Sequence, residues 1–152
     1  MDTTIVGTVT GLAVRTGVGA AMQELDSLQA LTDGGVEGDV PAPIHRGITL
    51  LSRRQWEEVV AEIGMDYPWY TRRANVLVDC DSLSHLMEQT IEIGDVVVQI
   101  TGETDPCGVM EAIHPRLKAA LTPEMRGGVY GRILQGGAIA IGATVTIRET
   151  GS

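Results

Sequence analysis

The most reactive chemistry in this chain is gathered in Gly102-Glu103-Thr104-Asp105-Pro106-Cys107-Gly108-Val109-Met110-Glu111. A strand-like run, Val96-Val97-Val98-Gln99-Ile100-Thr101, leads into it, and an apolar-periodic segment leads out. Asp105 suits a helix N-cap, because its carboxylate can accept from a free backbone N–H. Pro106 then falls at the first helical position, where a missing N–H costs nothing. The spacing predicts Cys107 in the first helical turn, where unpaired N–H groups and the positive dipole end favour a thiolate. A thiolate binds soft metals and attacks electrophiles. Glu103, Asp105 and Glu111 oppose its ionisation by like charge. The competing reading is a buried cysteine packed as a small apolar residue.

Two other clusters offer anion recognition. Arg72-Arg73-Ala74-Asn75 opens a predicted strand. A guanidinium fork there matches a phosphate, and the Asn75 amide suits a polar ring or backbone. Arg126-Gly127-Gly128 precedes another strand, and its glycines let backbone N–H groups approach an anion closely. Taken singly, each also reads as solvated charge or a hairpin loop. Gly38-Asp39 with His45 and Arg46 forms a further polar loop. The histidines lack a partner at metal-ligand spacing, and Cys80 and Cys107 form no Cys-x-x-Cys pattern, so nothing points to zinc. Neither a P-loop nor a nucleophile elbow is present.

These residues must be positioned by a chain of 152 residues, which predicts a single domain over 1–152. The sequence contains no Phe. Its core must be built from Val, Ile, Leu, Ala and Met, and its Val, Ile and Thr content leans towards sheet. The formal net charge of −9 argues against nucleic-acid binding. Of the 11 cations all but Lys118 are arginine, which makes a Schiff-base lysine enzyme a poor fit. Two cysteines make no disulfide framework. No signal peptide or membrane-length apolar run is visible, so the expected location is cytoplasmic, away from membranes.

Residues 4–14 read as a strand interrupted by glycines, the pattern of a bulged barrel strand. Met22, Leu25, Leu28 and Leu31 recur at near-helical spacing and predict a short helix. Residues 33–44 read as irregular, and 47–51 as a strand. Ser52-Arg53-Arg54-Gln55 fits a capping box. Trp56, Val59, Val60 and Ile63 then mark an amphipathic helix, closed by Gly64. Strands are predicted at 73–78, 96–101, 129–134, 138–141 and 143–147, with turns at 92–95 and 135–137. The Cys107 helix should turn Met110, Ile113, Leu117 and Leu121 inward, with Pro115 interrupting it. Six to eight short strands with two or three helices predict a mainly β (α+β) fold. Its form is a bent, mostly antiparallel β-barrel with peripheral helices.

The order of these motifs carries a resemblance. Gly38-Asp39, Arg46-Gly47-Ile48-Thr49-Leu50-Leu51, Arg72-Arg73-Ala74-Asn75-Val76, Ile93-Gly94-Asp95, Pro106-Cys107, Arg126-Gly127-Gly128-Val129-Tyr130, Gly136-Gly137 and Ile141-Gly142 succeed one another along nearly the whole chain. That succession resembles the molybdenum cofactor sulfurase C-terminal (MOSC) domain family, in a stand-alone bacterial-type form. The resemblance implies a β-barrel-like domain that binds molybdenum-molybdopterin. It implies that Cys107 ligates molybdenum or carries sulfur as a persulfide. Arg73 and Asn75 match the residues that hold the pterin phosphate in amidoxime-reducing relatives, which reduce N-hydroxylated compounds with electrons from partner proteins. Asp39, Arg46, Asp105, Arg126, Gly127 and Gly128 complete the implied cofactor cradle. The implied partners are a small-molecule substrate and an electron-transfer reductase or a cofactor sulfurase. The alternative role is a sulfur-carrier or cofactor-binding module without turnover. Two features depart from the family pattern: Val40-Pro41-Ala42-Pro43 separates Gly38-Asp39 from His45, and Arg15 stands nearest to where relatives carry an early-loop lysine.

Overall fold

The computed structural model describes residues 4–17, 20–104 and 108–148. In chain order the first half runs β1 (Thr4–Arg15), β2 (Met22–Leu25), β3 (Ser27–Ala30), β4 (Ile48–Ser52), α1 (Arg53–Ile63) and β5 (Val76–Asp79). The second half runs β6 (Thr90–Ile93), β7 (Val96–Glu103), α2 (Gly108–Ile113), α3 (Leu117–Leu121), β8 (Val129–Gln135), β9 (Gly137–Ala140) and β10 (Thr144–Ile147).

Seven strands close a ring. The order β10-β6-β7-β8-β4-β5-β1 is completed by pairing of β1 with β10, and β2 adds an eighth strand beyond β1. Pairings are antiparallel except β4 with β5, which are parallel and joined by the α1 crossover. A parallel pair needs such a crossover, because a tight turn can only reverse the chain. Strands β3 and β9 form a separate two-stranded ribbon. The expected bent barrel with outer helices is therefore the observed fold, with the parallel pair as an added feature.

The bend resides in β1. It pairs with β10 at its start, β5 in its middle and β2 at its end, with register shifts between Ile5 and Gly7 and between Val9 and Gly11. At Gly7 a Cβ would collide with Asp79 O, and at Gly11 with the Trp69 ring. The predicted glycine-interrupted strand thus marks real bulges, which let one strand serve three neighbours.

Period-2 alternation sorts the core into two layers. Ile48 and Leu50 of β4 and Val76 and Val78 of β5 point into the barrel, among Leu12, Ile91, Val98, Ile100 and Ile133. Leu51 and Leu77 point outward and pack with Trp56, Val59 and Ile63 of α1, Met110 of α2 and Leu117 and Leu121 of α3. Ser52 caps α1, accepting from Gln55 N at 3.2 Å, and Gly64 ends it at φ 72°. The reciprocal half of the capping box is not made. The Gln55 amide instead donates to Glu124 O at 2.8 Å.

Three local expectations are corrected. Residues 22–30 are two strands meeting at a bend, not a helix. Arg73 belongs to a turn before β5, not to the strand. Ile113 is 36% exposed, because α2 stops there and α3 starts anew after Pro115.

Candidate functional site

The junction into β5 builds one wall of a cavity. A 3-10 turn at Trp69–Arg72 ends on Arg73 with φ 64° and ψ 27°, a left-handed conformation that costs a non-glycine residue about 1 kcal/mol. The reversal sends neighbouring arginines different ways. Arg72 is buried, and its Nη2 donates to Thr104 O at 2.7 Å. Arg73 is exposed and lines the cavity.

Two residues on, Asn75 is buried with its amide fully engaged. Its Oδ1 accepts from Thr49 N and Thr49 Oγ1, both at 3.1 Å. Its Nδ2 donates to Ala13 O at 3.2 Å and Asp39 Oδ2 at 3.0 Å. Two donors and two acceptor sites are an amide's whole capacity. The other Asp39 oxygen accepts from Arg15 N at 2.8 Å. Asn75 and Asp39, expected as cofactor contacts, therefore brace β1, β4 and the 33–44 loop against one another. Both line the cavity as its frame.

The cavity measures about 610 Å³, the size of a small-molecule site. Arg15, His45, Arg46, Arg72 and Arg73 all line it. The Arg46 guanidinium lies over the Tyr130 ring, 4.7 Å from its centre, and His45 meets the same ring edge-on. This cation–π contact holds the charge in place without neutralising it. Ion pairs occupy Arg53, Arg54, Lys118, Arg126, Arg132 and Arg148. Arg15, Arg46 and Arg73 have no such pair among the described residues, and all three face this cavity.

Asp105, Pro106 and Cys107 lie outside the described residues. The residues flanking them, Thr104 on one side and Val109 and Met110 on the other, line the cavity. Thr104 is fixed at both backbone groups: its N–H donates to Gly128 O at 2.8 Å, and its carbonyl receives Arg72. Its hydroxyl is buried without a hydrogen-bond partner among the described residues.

Arg126 departs from the expected anion clamp. Its Nη1 pairs with Glu62 and donates to Ala120 O at 3.1 Å, tying α1 to α3. It does not line the cavity, whereas Gly127 does. Gly128 has φ +95°, and a Cβ there would collide with Leu50 O. Its glycine serves a close backbone approach. Cys80 also lies away from the cavity, and burial pushes its thiol above the ordinary range. Among the described residues no His, Cys, Asp and Glu cluster could hold a metal ion. No helix among them is long and apolar enough to cross a membrane.

Sequence reasoning read Arg72 only as part of an anion clamp, not as the donor to Thr104 O, and did not assign Thr49 or Thr104. Each works through a partner far along the chain, which leaves no local signal.

The family model for the MOSC domain matches residues 33–146. The chain belongs to the MOSC domain family. That family is associated with molybdenum cofactor binding. The MOSC domain here is also similar to solved structures. It matches the YuaD protein from Bacillus subtilis with a TM-score of 0.78 at 20% identity, covering 93% of this chain and 94% of that one. It matches YiiM from Geobacillus stearothermophilus with a TM-score of 0.71 at 18% identity, covering 99% and 77%. It matches YiiM from Escherichia coli with a TM-score of 0.71 at 16% identity, covering 95% and 71%. At these identities the likeness concerns the fold. No curated protein sequence matches the chain.

The cavity's residues fit the cofactor this family is associated with. Among the described residues, three arginines without carboxylate partners suit a phosphate, and the Thr104 hydroxyl is an unfilled hydrogen-bonding group at the wall.

Proposed function

We propose that this MOSC domain binds molybdenum-molybdopterin in the cavity and reduces N-hydroxylated compounds, with Cys107 as the molybdenum ligand. The observation that carries the reading is the convergence of Arg15, Arg46 and Arg73 on a cavity whose lining resumes on both sides of the Cys107 segment. When bound, the cofactor supplies a metal that passes two electrons to an N–O bond. The protein's part is binding and orientation. Arg73 offers a fork to the pterin phosphate, and Arg15 and Arg46 add positive potential in an otherwise acidic molecule. The Asn75–Asp39 brace keeps Arg15 and the loop before Arg46 in register. The Cys107 thiolate is a soft ligand of the kind molybdenum accepts. Gly127 lines the same cavity.

In the overall reaction the N–O bond breaks with two electrons and two protons, and an amidoxime gives an amidine and water. The electrons come from a separate reductase, and the acidic exterior suits a partner with a basic docking face.

The test is turnover of an amidoxime with an artificial electron donor, using protein from a cofactor-producing host. Wild type should turn over, and Cys107→Ser should lose at least about a hundredfold in kcat. Retained turnover in Cys107→Ser overturns the assignment. An intact mass with one added sulfur on Cys107, and no turnover, moves the reading to a sulfur carrier.

A further inference from the structure

Val40, Pro41, Ala42 and Pro43 all line the cavity. They form a strap at its rim: Val40 is half-buried, and the other three are exposed. None of the four side chains carries a polar atom. The two prolines also lack a backbone N–H and fix their own φ. The strap therefore presents a stiff apolar surface to whatever fills the cavity.

Both ends are pinned. At the start, Asp39 accepts from Arg15 N and from the Asn75 amide, and its own N–H donates to Val36 O at 3.0 Å. At the finish, Arg46 N donates to Pro43 O at 2.9 Å, closing the 3-10 turn Ile44–Arg46. Thr101 Oγ1 donates to His45 O at 2.6 Å and anchors that turn to β7. A segment tied at both ends with two of four residues proline loses little entropy when a ligand packs on it. Met22 and the exposed Val109 add apolar lining from other elements.

We infer that residues 40–43 are the specificity wall of the cavity, selecting N-hydroxylated substrates that carry an aromatic or extended alkyl body over small polar ones. The inference rests on the reductase reading above. The arginines account for an anionic group, and the strap accounts for an apolar one. A strap without side-chain donors or acceptors rewards removal of hydrocarbon from water and gives nothing to a hydrated substituent.

Benzamidoxime and acetamidoxime share the reacting group and differ only in ring against methyl. Their kcat/KM values are compared in wild type, in Ala42→Asp, and in Ala61→Asp on the exposed face of α1 as control. The ratio of benzamidoxime to acetamidoxime should fall about tenfold in Ala42→Asp and hold its wild-type value in the control. A readout without turnover is the methyl NMR spectrum of the purified protein: benzamidoxime should shift the Val40 and Ala42 methyl resonances. An unchanged ratio, or no shift at those methyls, overturns the strap and leaves the cofactor reading intact. Wild-type protein without molybdenum overturns the cofactor reading instead, and the methyl titration then decides the strap by itself.

Discussion

Asn75 holds the cavity's frame with one amide. Replacing it by Asp keeps the shape and changes the electrostatics, because a second carboxylate then stands where Nδ2 now donates to Asp39 at 3.0 Å. Asn75→Asp should cost about 2–4 kcal/mol at neutral pH, read from denaturant midpoints. Like-charge contact raises the folded-state pKa of the new pair above its unfolded value. The penalty is then absent below about pH 4 and grows as pH rises through the raised pKa. A stability deficit that does not shrink on acidification contradicts the brace. The sequence pointed to Asn75 and Arg126 by type and order, but not to their partners. Ala13, Asp39 and Thr49 are brought to Asn75 by strand pairing, and Glu62 is brought to Arg126 by helix packing. Hydrogen-bond bookkeeping is a tertiary quantity, so a braced amide and a ligand-binding amide read alike in sequence.

The β4–α1–β5 unit links the cavity wall to the outer helices. Ser52 is its joint: its hydroxyl caps α1 through Gln55 N and donates to Cys80 O at 2.7 Å, beyond the end of β5. Ser52→Ala should lower stability by about 1–2 kcal/mol with an unchanged denaturant slope. An effect within about 0.3 kcal/mol would contradict the joint. The helix was legible because its signals are local: a capping serine, apolar spacing and a terminal glycine. The 22–30 segment was misread for an equally local reason. Met22, Leu25, Leu28 and Leu31 are three residues apart, yet the chain bends at Asp26 between two four-residue strands. Spacing across that bend imitates a helical stripe. Within β3 the true period is two, with Leu28 and Ala30 buried between exposed residues. The closure of β1 on β10 joins residues at opposite ends of the chain, so only the bulging glycines announced it.

Across the whole molecule, charge is segregated. Twenty acidic residues face eleven basic ones, and ion pairs among the described residues engage Arg53, Arg54, Lys118, Arg126, Arg132 and Arg148. Arg15, Arg46 and Arg73, which have no ion pair among the described residues, bring positive charge to the cavity of an acidic protein and focus potential on an anionic ligand. Composition gave the net charge, but only folding shows where it is locally reversed. Molybdenum content of protein from a cofactor-producing host tests this directly, measured by mass spectrometry on wild type, Arg73→Ala, Arg126→Ala and Cys107→Ser. Near one molybdenum per chain should be found in wild type. It should be lost in Cys107→Ser and cut about tenfold in Arg73→Ala after extended dialysis. Arg126→Ala should keep its metal while losing about 2 kcal/mol of stability, because that guanidinium ties helices together outside the cavity. No molybdenum in wild type, or equal retention in all four proteins, would contradict the assignment of this cavity to the cofactor.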